Sequence, residues 1–228
     1  MTVKFDYDFQ SHSFESPGYL TCIVPDCVRH ELEKIIEDVK KNSQNYKDSR
    51  KSLAGHLEKE YKLPITSHIK YLVETLSIEY DKIYNGGKPY QPILRQYHSD
   101  VEGKAINYNY ELKSIWINFS KKYDFNPVHS HSGAFSFVIW VDIPYDLDEE
   151  FSRYSPNGNE TTLFGFYYCD SLGNMSKKLL DIDKSWEWKM AFFPASLSHS
   201  VNPFYTSDEY RISIAGNVFC VVETNEIS

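Results

Sequence analysis

The first ninety residues contain two segments in which apolar positions recur at helical spacing. In residues 28–39 they fall at i, i+4, i+7, i+8 and i+11, which predicts a helix with one apolar face. Residues 65–84 repeat the pattern up to the Asn-Gly-Gly sequence at 85–87, where glycine allows the left-handed backbone that ends a helix. A short strand is predicted at residues 3–9. The polar stretch 40–62 predicts a loop with a short helical turn.

From Pro92 onward, β-branched and aromatic runs are separated by turn residues, which is typical of strands. No helical spacing occurs between the runs, so the pattern favours an antiparallel sandwich or barrel with the two helices packed on one outer face. The six predicted strands are residues 93–97, 114–119, 135–143, 162–168, 186–193 and 211–222.

The chain shows no internal repeat, no low-complexity segment and no Gly/Ser linker, so we expect one domain covering residues 1–228. Within it, residues 1–90 form a helical support region and residues 91–222 form the β core. The 36 aromatic residues (18 Tyr, 14 Phe, 4 Trp) among 228 supply abundant surface to bury and exclude intrinsic disorder.

Charge and cysteine content narrow the class of protein further. Asp and Glu (32) outnumber Lys and Arg (24), giving a net charge of −8, and no basic cluster appears, which argues against duplex nucleic acid or a membrane surface as partner. The N-terminus lacks a basic segment followed by an apolar run, so we expect a cytoplasmic protein that is neither secreted nor membrane-spanning. The four cysteines, at 22, 27, 169 and 220, are expected to be reduced thiols.

The densest candidate for chemistry is the His-Ser-His sequence that precedes the predicted strand 135–143. In an extended segment residues i and i+2 project to the same side, so His129 and His131 can reach one metal ion. Taken alone, the pair also fits two ordinary polar residues near a strand end. His199, just after the predicted strand 186–193, offers a third imidazole, and imidazole suits iron, zinc, copper and nickel.

The strand that opens at Arg211 has the pattern of a pocket wall. Arg211 offers a permanent cation whose planar fork matches a carboxylate, and Ser213 points to the same side of the strand. Ala215 and Asn217 continue this face with small or polar side chains.

These residues together resemble the Fe(II)/2-oxoglutarate-dependent oxygenases, in particular those of bacteria and marine bacterial viruses. The resemblance covers about residues 92–222, and residues 52–61 also resemble a segment of the viral members. It implies a mainly-β (α+β) fold, a double-stranded β-helix or jelly-roll barrel similar to the cupins. The matching residues are Trp116 and Asn118, Asn126-Pro127, His129 and His131, Phe193-Pro194 with His199, and Arg211, Ser213 and Asn217.

The resemblance also implies an activity and a set of ligands. The enzyme would hydroxylate a substrate while 2-oxoglutarate is converted to succinate and CO2, in the cytoplasm of a bacterium or of a virus-infected bacterial cell. Fe(II) would be held by the three histidines, with no catalytic residue beyond them. The cosubstrate would be bound by Arg211, Ser213, Asn118, Asn217 and Tyr97.

One position departs from the usual pattern of these oxygenases. Most carry Asp or Glu two residues after the first histidine, where this chain has His131. Either His131 is a neutral third ligand, or it turns away and water or a distant acid completes the coordination. Two alternatives therefore stay open: a cupin-like three-histidine metal enzyme that does not use 2-oxoglutarate, or a non-catalytic jelly-roll binding protein. The prime substrate and any homodimer are not predicted by the sequence.

Overall fold

The computed structural model describes residues 8–13, 18–50, 54–87, 107–153, 160–170 and 172–223. The strand predicted at 93–97, and Tyr97 within it, lie outside the described residues. The same holds for most of the strand predicted at 3–9.

Eleven strands and three helices make up the described part of the chain. The helices are α1 (Asp26–Asn42), α2 (Ser67–Tyr84) and α3 (Leu147–Ser152), with short 3-10 turns at Ser43–Asn45 and Lys184–Trp186. The strands are β1 (Phe9–Ser13), β2 (Gly18–Ile23), β3 (Lys59–Lys62), β4 (Asn107–Ser120), β5 (Asn126–His129), β6 (Phe135–Asp142), β7 (Phe164–Cys169), β8 (Met175–Leu180), β9 (Lys189–Pro194), β10 (Ser198–Val201) and β11 (Arg211–Glu223).

The strands form two antiparallel sheets. The large sheet has the order β1-β2-β9-β6-β11-β4-β3, and the small sheet has the order β5-β10-β7-β8. From β4 to β11 the chain crosses between the sheets at every step except β7 to β8, which is the topology of a jelly roll. The expectation of a mainly antiparallel β fold is therefore confirmed.

Five predicted strands correspond to β4, β6, β7, β9 and β11, although β4 is much longer than predicted and β9 begins at Lys189. The short strands β5, β8 and β10 were not predicted, because four to six residues give too little alternation to recognise. The prediction of a loop over residues 40–62 is wrong at its end. Residues Lys59–Lys62 form the edge strand β3, which pairs with β4 through residues 116–119.

The outer face of the large sheet packs against α1 and α2. Helix α1 buries Val28, Leu32, Ile36 and Val39, as its spacing predicts. Helix α2 ends at Asn85, and Gly86 and Gly87 adopt positive φ there. Ile65 and Ile83, which the apolar spacing includes in the second helix's face, are instead exposed.

The alternation along β6 separates two cores. Phe135 and Ile139 pack with the helices on the outer face, whereas Val138 and Trp140 face the small sheet. Phe164 and Phe166 of β7 belong to this inner core, which fills part of the space between the sheets. The polar site described below occupies the rest of that space.

The cysteines and the helices also bear on expectations from the sequence. All four cysteines are free thiols, as expected. Among the described residues, no helix combines the length and apolar character needed to cross a membrane.

Candidate metal centre and cosubstrate cavity

Two histidines from neighbouring strands and a third from the turn after one of them meet between the sheets. His129 closes β5, and its antiparallel partner in β10 is His199. His131 follows the end of β5, so the two-residue spacing of an extended strand does not by itself place it. Its backbone N–H donates to the carbonyl of Ala195 at 2.8 Å, which holds the turn against the end of β9. The ligand nitrogens of the three side chains all lie within 4.8 Å of one another.

Main-chain carbonyls set the tautomer of two of these histidines. The Nδ1 of His129 donates to the carbonyl of Pro127 at 2.7 Å, and the Nδ1 of His199 donates to the carbonyl of Leu197 at 2.9 Å. A histidine whose Nδ1 carries the proton presents the lone pair of Nε2, the arrangement typical of metal ligands with an orienting partner.

Burial keeps His131 and His199 neutral. Burial, with a smaller contribution from the charge of His129, lowers the pKa of His131 to about 4 and that of His199 to about 3. Neutral imidazole is the form that binds a metal. His131 faces the other two rings, at centroid distances of 4.9 and 5.1 Å, rather than turning away. This donor set of three imidazoles, of which burial keeps His131 and His199 neutral, fits a divalent ion such as Fe(II).

A buried, incompletely paired cation lies in the same cavity. Arg211 is 3% exposed, its guanidinium packs over the ring of Phe204 at 5.3 Å, and its Nη1 donates to the carbonyl of Asn202 at 3.0 Å. Its Nη2 is buried and has no hydrogen-bond partner among the described residues. A buried charged donor of this kind is complementary to a carboxylate.

The other predicted cosubstrate residues lie at differing distances from the cavity. Asn118 and Ser213 are cross-strand neighbours that line it, and the Nδ2 of Asn118 donates to the Oγ of Ser213 at 3.2 Å. Asn217 does not line the cavity. Its Oδ1 accepts a 2.7 Å hydrogen bond from Ser136, which does line it. Tyr97 lies outside the described residues.

The cavity itself has a volume of about 50 Å³, within about 650 Å³ of space between protein atoms that includes open solvent. Apart from the histidines, its charged lining among the described residues consists of Arg211 and Glu60. The sequence-based prediction missed Glu60, because it placed residues 40–62 in a loop. It also missed Tyr145, which is buried beside Arg211, whose charge opposes the rise that burial causes in the pKa of this tyrosine. Nothing in the sequence around Tyr145 pointed to that position.

A comparison with protein families matches residues 114–217 to a family described as "Putative 2OG-Fe(II) oxygenase". The match shows that this segment, 104 of the 228 residues, is similar to that family. It contains the three histidines, Arg211 and Ser213. The resemblance seen in the sequence is therefore confirmed, and with it the expectation of an oxidoreductase of a family that uses Fe(II) and 2-oxoglutarate.

Two solved structures are similar at low sequence identity. A prolyl-4-hydroxylase from Pseudomonas putida is 10% identical with a TM-score of 0.45, over 92% of this chain and 90% of that one. An oxidoreductase of the 2OG-Fe(II) oxygenase family from Burkholderia pseudomallei is 12% identical with a TM-score of 0.43, over 83% of this chain and 79% of that one. No curated protein matches the sequence significantly.

Proposed function

We propose that the protein is an Fe(II)- and 2-oxoglutarate-dependent dioxygenase that hydroxylates a prime substrate and releases succinate and CO2. The observation that carries the proposal is the combination, in one cavity, of three convergent histidines with buried Arg211, whose Nη2 has no hydrogen-bond partner among the described residues. A metal site alone would fit many enzymes. A buried cation in the same cavity adds a requirement for an anionic ligand.

In this proposal His129, His131 and His199 hold the metal, and no other residue of the chain takes part in catalysis directly. Fe(II), when bound, supplies the oxygen chemistry that couples oxidation of 2-oxoglutarate to hydroxylation of a C–H bond. The part of the chain is to keep His131 and His199 neutral and to orient His129 and His199 through their main-chain hydrogen bonds. Phe193 and Phe164, with ring centroids 4.9 and 5.7 Å from that of His199, exclude water from one side of the centre.

Arg211 is proposed to bind the distal carboxylate of 2-oxoglutarate through Nη2. Its Nη1 contact with the carbonyl of Asn202 and its packing on Phe204 fix the plane of the guanidinium before the ligand arrives. The hydroxyl of Ser213 donates to the same carboxylate. Asn118 holds that hydroxyl, and Asn217 acts further away by holding Ser136.

The remaining expectations extend the same proposal. Residues 1–228 form one oxygenase domain, in which the helices of residues 1–90 support the outer face of the barrel, and Tyr97 contributes to the cosubstrate site. The partners are the small-molecule cosubstrate and an unidentified prime substrate, without duplex nucleic acid or membrane. A cytoplasmic location in a bacterium or a virus-infected bacterial cell stays a prediction.

Anaerobic titration of the purified protein tests the proposal. Adding Fe(II) and 2-oxoglutarate together is expected to produce a visible charge-transfer absorption that neither component produces alone. Arg211→Ala should abolish it by removing the carboxylate partner, and His199→Ala by removing a ligand. The matched controls are Arg29→Ala and His30→Ala, which change exposed residues of α1 and should leave the absorption intact.

The alternatives make different predictions in the same titration. Metal binding that is indifferent to 2-oxoglutarate and to Arg211→Ala would favour the cupin-like enzyme. A folded protein that takes up no metal would favour the non-catalytic binding protein. Either result would reject the proposed dioxygenase.

A further inference from the structure

The edge strand β3 brings a carboxyl group into the cavity. Along β3 the side chains alternate, so that Glu60 is 1% exposed while Lys59 and Tyr61 on either side are partly exposed. Glu60 is the register partner of Asn118, which in turn pairs with Ser213 of β11. Glu60 thus extends the polar row of the large sheet to its edge, and it is the acidic residue among the described ones that line the cavity.

The carboxyl group of Glu60 lacks the partners that a buried carboxylate needs. Its Oε2 is buried without a hydrogen-bond partner among the described residues. Arg50, the cation whose charge acts on the pKa of Glu60, is already engaged, because its guanidinium donates to both carboxylate oxygens of Asp48 and to the carbonyl of Glu58. A buried acidic group without a counter-ion is costly unless a ligand completes it.

Glu60 is separate from the two parts of the cavity already assigned. Glu60 lies on the edge strand β3, whereas Arg211 lies on β11, and β4 runs between these two strands in the sheet. Glu60 also does not belong to the group of convergent metal-binding side chains, which consists of the three histidines. The proposed iron and the distal carboxylate of 2-oxoglutarate therefore leave this carboxyl group without a role.

We propose that Glu60 recognises a positively charged nitrogen group, an alkylammonium or a guanidinium, on the prime substrate. A second acceptor supports this chemistry, because the Oδ1 of neighbouring Asn118 is also buried and has no partner in the part of the chain that the structure describes. Two unpaired acceptor oxygens on adjacent strands match a ligand that carries several N–H donors, whereas a carboxylate, phosphate or ether would leave both unpaired. That this cation belongs to the prime substrate rests on the proposed function, whereas the binding of a cation at Glu60 does not depend on it.

The state of the free protein agrees with an incomplete site. Burial raises the pKa of Glu60 to about 7, with a smaller contribution from Asp48. The carboxyl group is therefore partly protonated near neutral pH until a cation enters, and an ammonium or guanidinium group beside it would favour the ionised form.

The test measures the binding of simple probes, n-butylamine and agmatine, by isothermal titration at pH 8. Each is added both to the metal-free protein and to the anaerobic Fe(II)–2-oxoglutarate complex, with n-butanol as the neutral comparison. Both amines are expected to bind and n-butanol is not. Glu60→Gln should weaken amine binding at least about tenfold, because it removes the charge and keeps the shape.

Two controls separate this effect from a general disturbance. Glu58→Gln changes a half-exposed carboxylate on the same segment, bonded to Tyr210, and should leave amine binding unchanged. Glu60→Gln should keep the wild-type affinity for 2-oxoglutarate and a wild-type or higher melting temperature, which shows that the fold survives.

The outcomes distinguish this inference from the proposed function. If the charge-transfer absorption forms but the amines do not bind, or bind equally well to Glu60→Gln, the role of Glu60 is rejected and the dioxygenase proposal stands. If the absorption never forms while the amines bind in a manner that depends on Glu60, the cation site stands and the dioxygenase proposal is rejected.

Discussion

Replacing Glu60 by glutamine is expected to stabilise the metal-free protein at alkaline pH and to have little effect at acidic pH. The carboxyl group is buried with one oxygen unpaired, and burial raises its pKa from 4.5 to about 7. In the unfolded chain the same group ionises near 4.5. Glutamine has nearly the same shape and cannot ionise, so the variant removes this difference between the two states.

The sign and size of this change in the free energy of unfolding follow from proton linkage. Between pH 4.5 and about 7 the native state holds a proton that the unfolded state has released, so the free energy of unfolding falls as pH rises. At about 1.4 kcal/mol for each pH unit in this window, the stability lost by the time pH reaches 8 is about 3 kcal/mol. The contribution is fully present below pH 4.5 and is lost as pH rises through 7.

Urea unfolding of the wild type and of Glu60→Gln, with a chelator present, measures the effect at half-unit intervals from pH 5 to pH 8. All other titrating groups are common to the two proteins, so the difference between their free energies of unfolding isolates Glu60. The free energy of unfolding of the variant should rise relative to that of the wild type as pH rises, and it should exceed the wild-type value by about 3 kcal/mol at pH 8. Glu58→Gln, which changes a half-exposed carboxylate on the same segment, is unfolded alongside as the matched substitution.

A difference that stays constant from pH 5 to pH 8 would refute the reasoning. It would mean that Glu60 ionises in the folded protein as it does in the unfolded chain. The carboxyl group would then have a compensating partner, and the incomplete site inferred above would not exist.

Three further predictions follow from other parts of the structure. Because burial lowers the pKa of His131 to about 4, the free energy of unfolding of the metal-free protein should fall as pH falls below 6.5. His131→Gln should reduce the slope of this free energy against pH by up to about 1.4 kcal/mol per pH unit, measured by urea unfolding. Gly216→Ala would bring a methyl group to 2.6 Å from both the ring of Phe137 and the backbone carbonyl oxygen of Ser114. Movement of the ring alone does not relieve this clash, so the substitution should cost about 2 kcal/mol of stability in urea unfolding. Tyr110→Phe removes the 2.6 Å hydrogen bond to the carboxylate of Asp81 and should cost about 2 kcal/mol, measured in the same way; no loss would show that this bond is not retained in solution.

The parts of the fold that sequence predicts well are those in which burial imposes a long regular pattern. Helix α1 buries the predicted residues, and β6 and β11 were recognised because they alternate or are apolar over many residues. Strand β3 was missed because its inward residue is the charged Glu60 and its neighbours are lysine and tyrosine. Its strand character comes from pairing with β4, which a local pattern does not contain.

The site residues also divide into those that the sequence predicts and those that it misses. Three histidines and an arginine could be proposed from residue type and spacing, and the structure brings them to one cavity. His131 reaches the centre through a turn held by Ala195, not through strand alternation as the sequence suggested. Tyr145 lies beside Arg211 because both pack against Phe204, a long-range arrangement with no local signature in the sequence.

The orienting bonds of His129 and His199 have a consequence for how this centre responds to mutation. In each case the acceptor is the carbonyl two residues earlier in the chain, so both bonds belong to the main chain. Because every residue type has that carbonyl, no side-chain substitution at 127 or 197 deletes the acceptor itself. The backbone geometry therefore sets the tautomers of these two histidines. An alanine scan of the surrounding side chains would pass over the groups that orient them, and only a change of backbone conformation would expose their role.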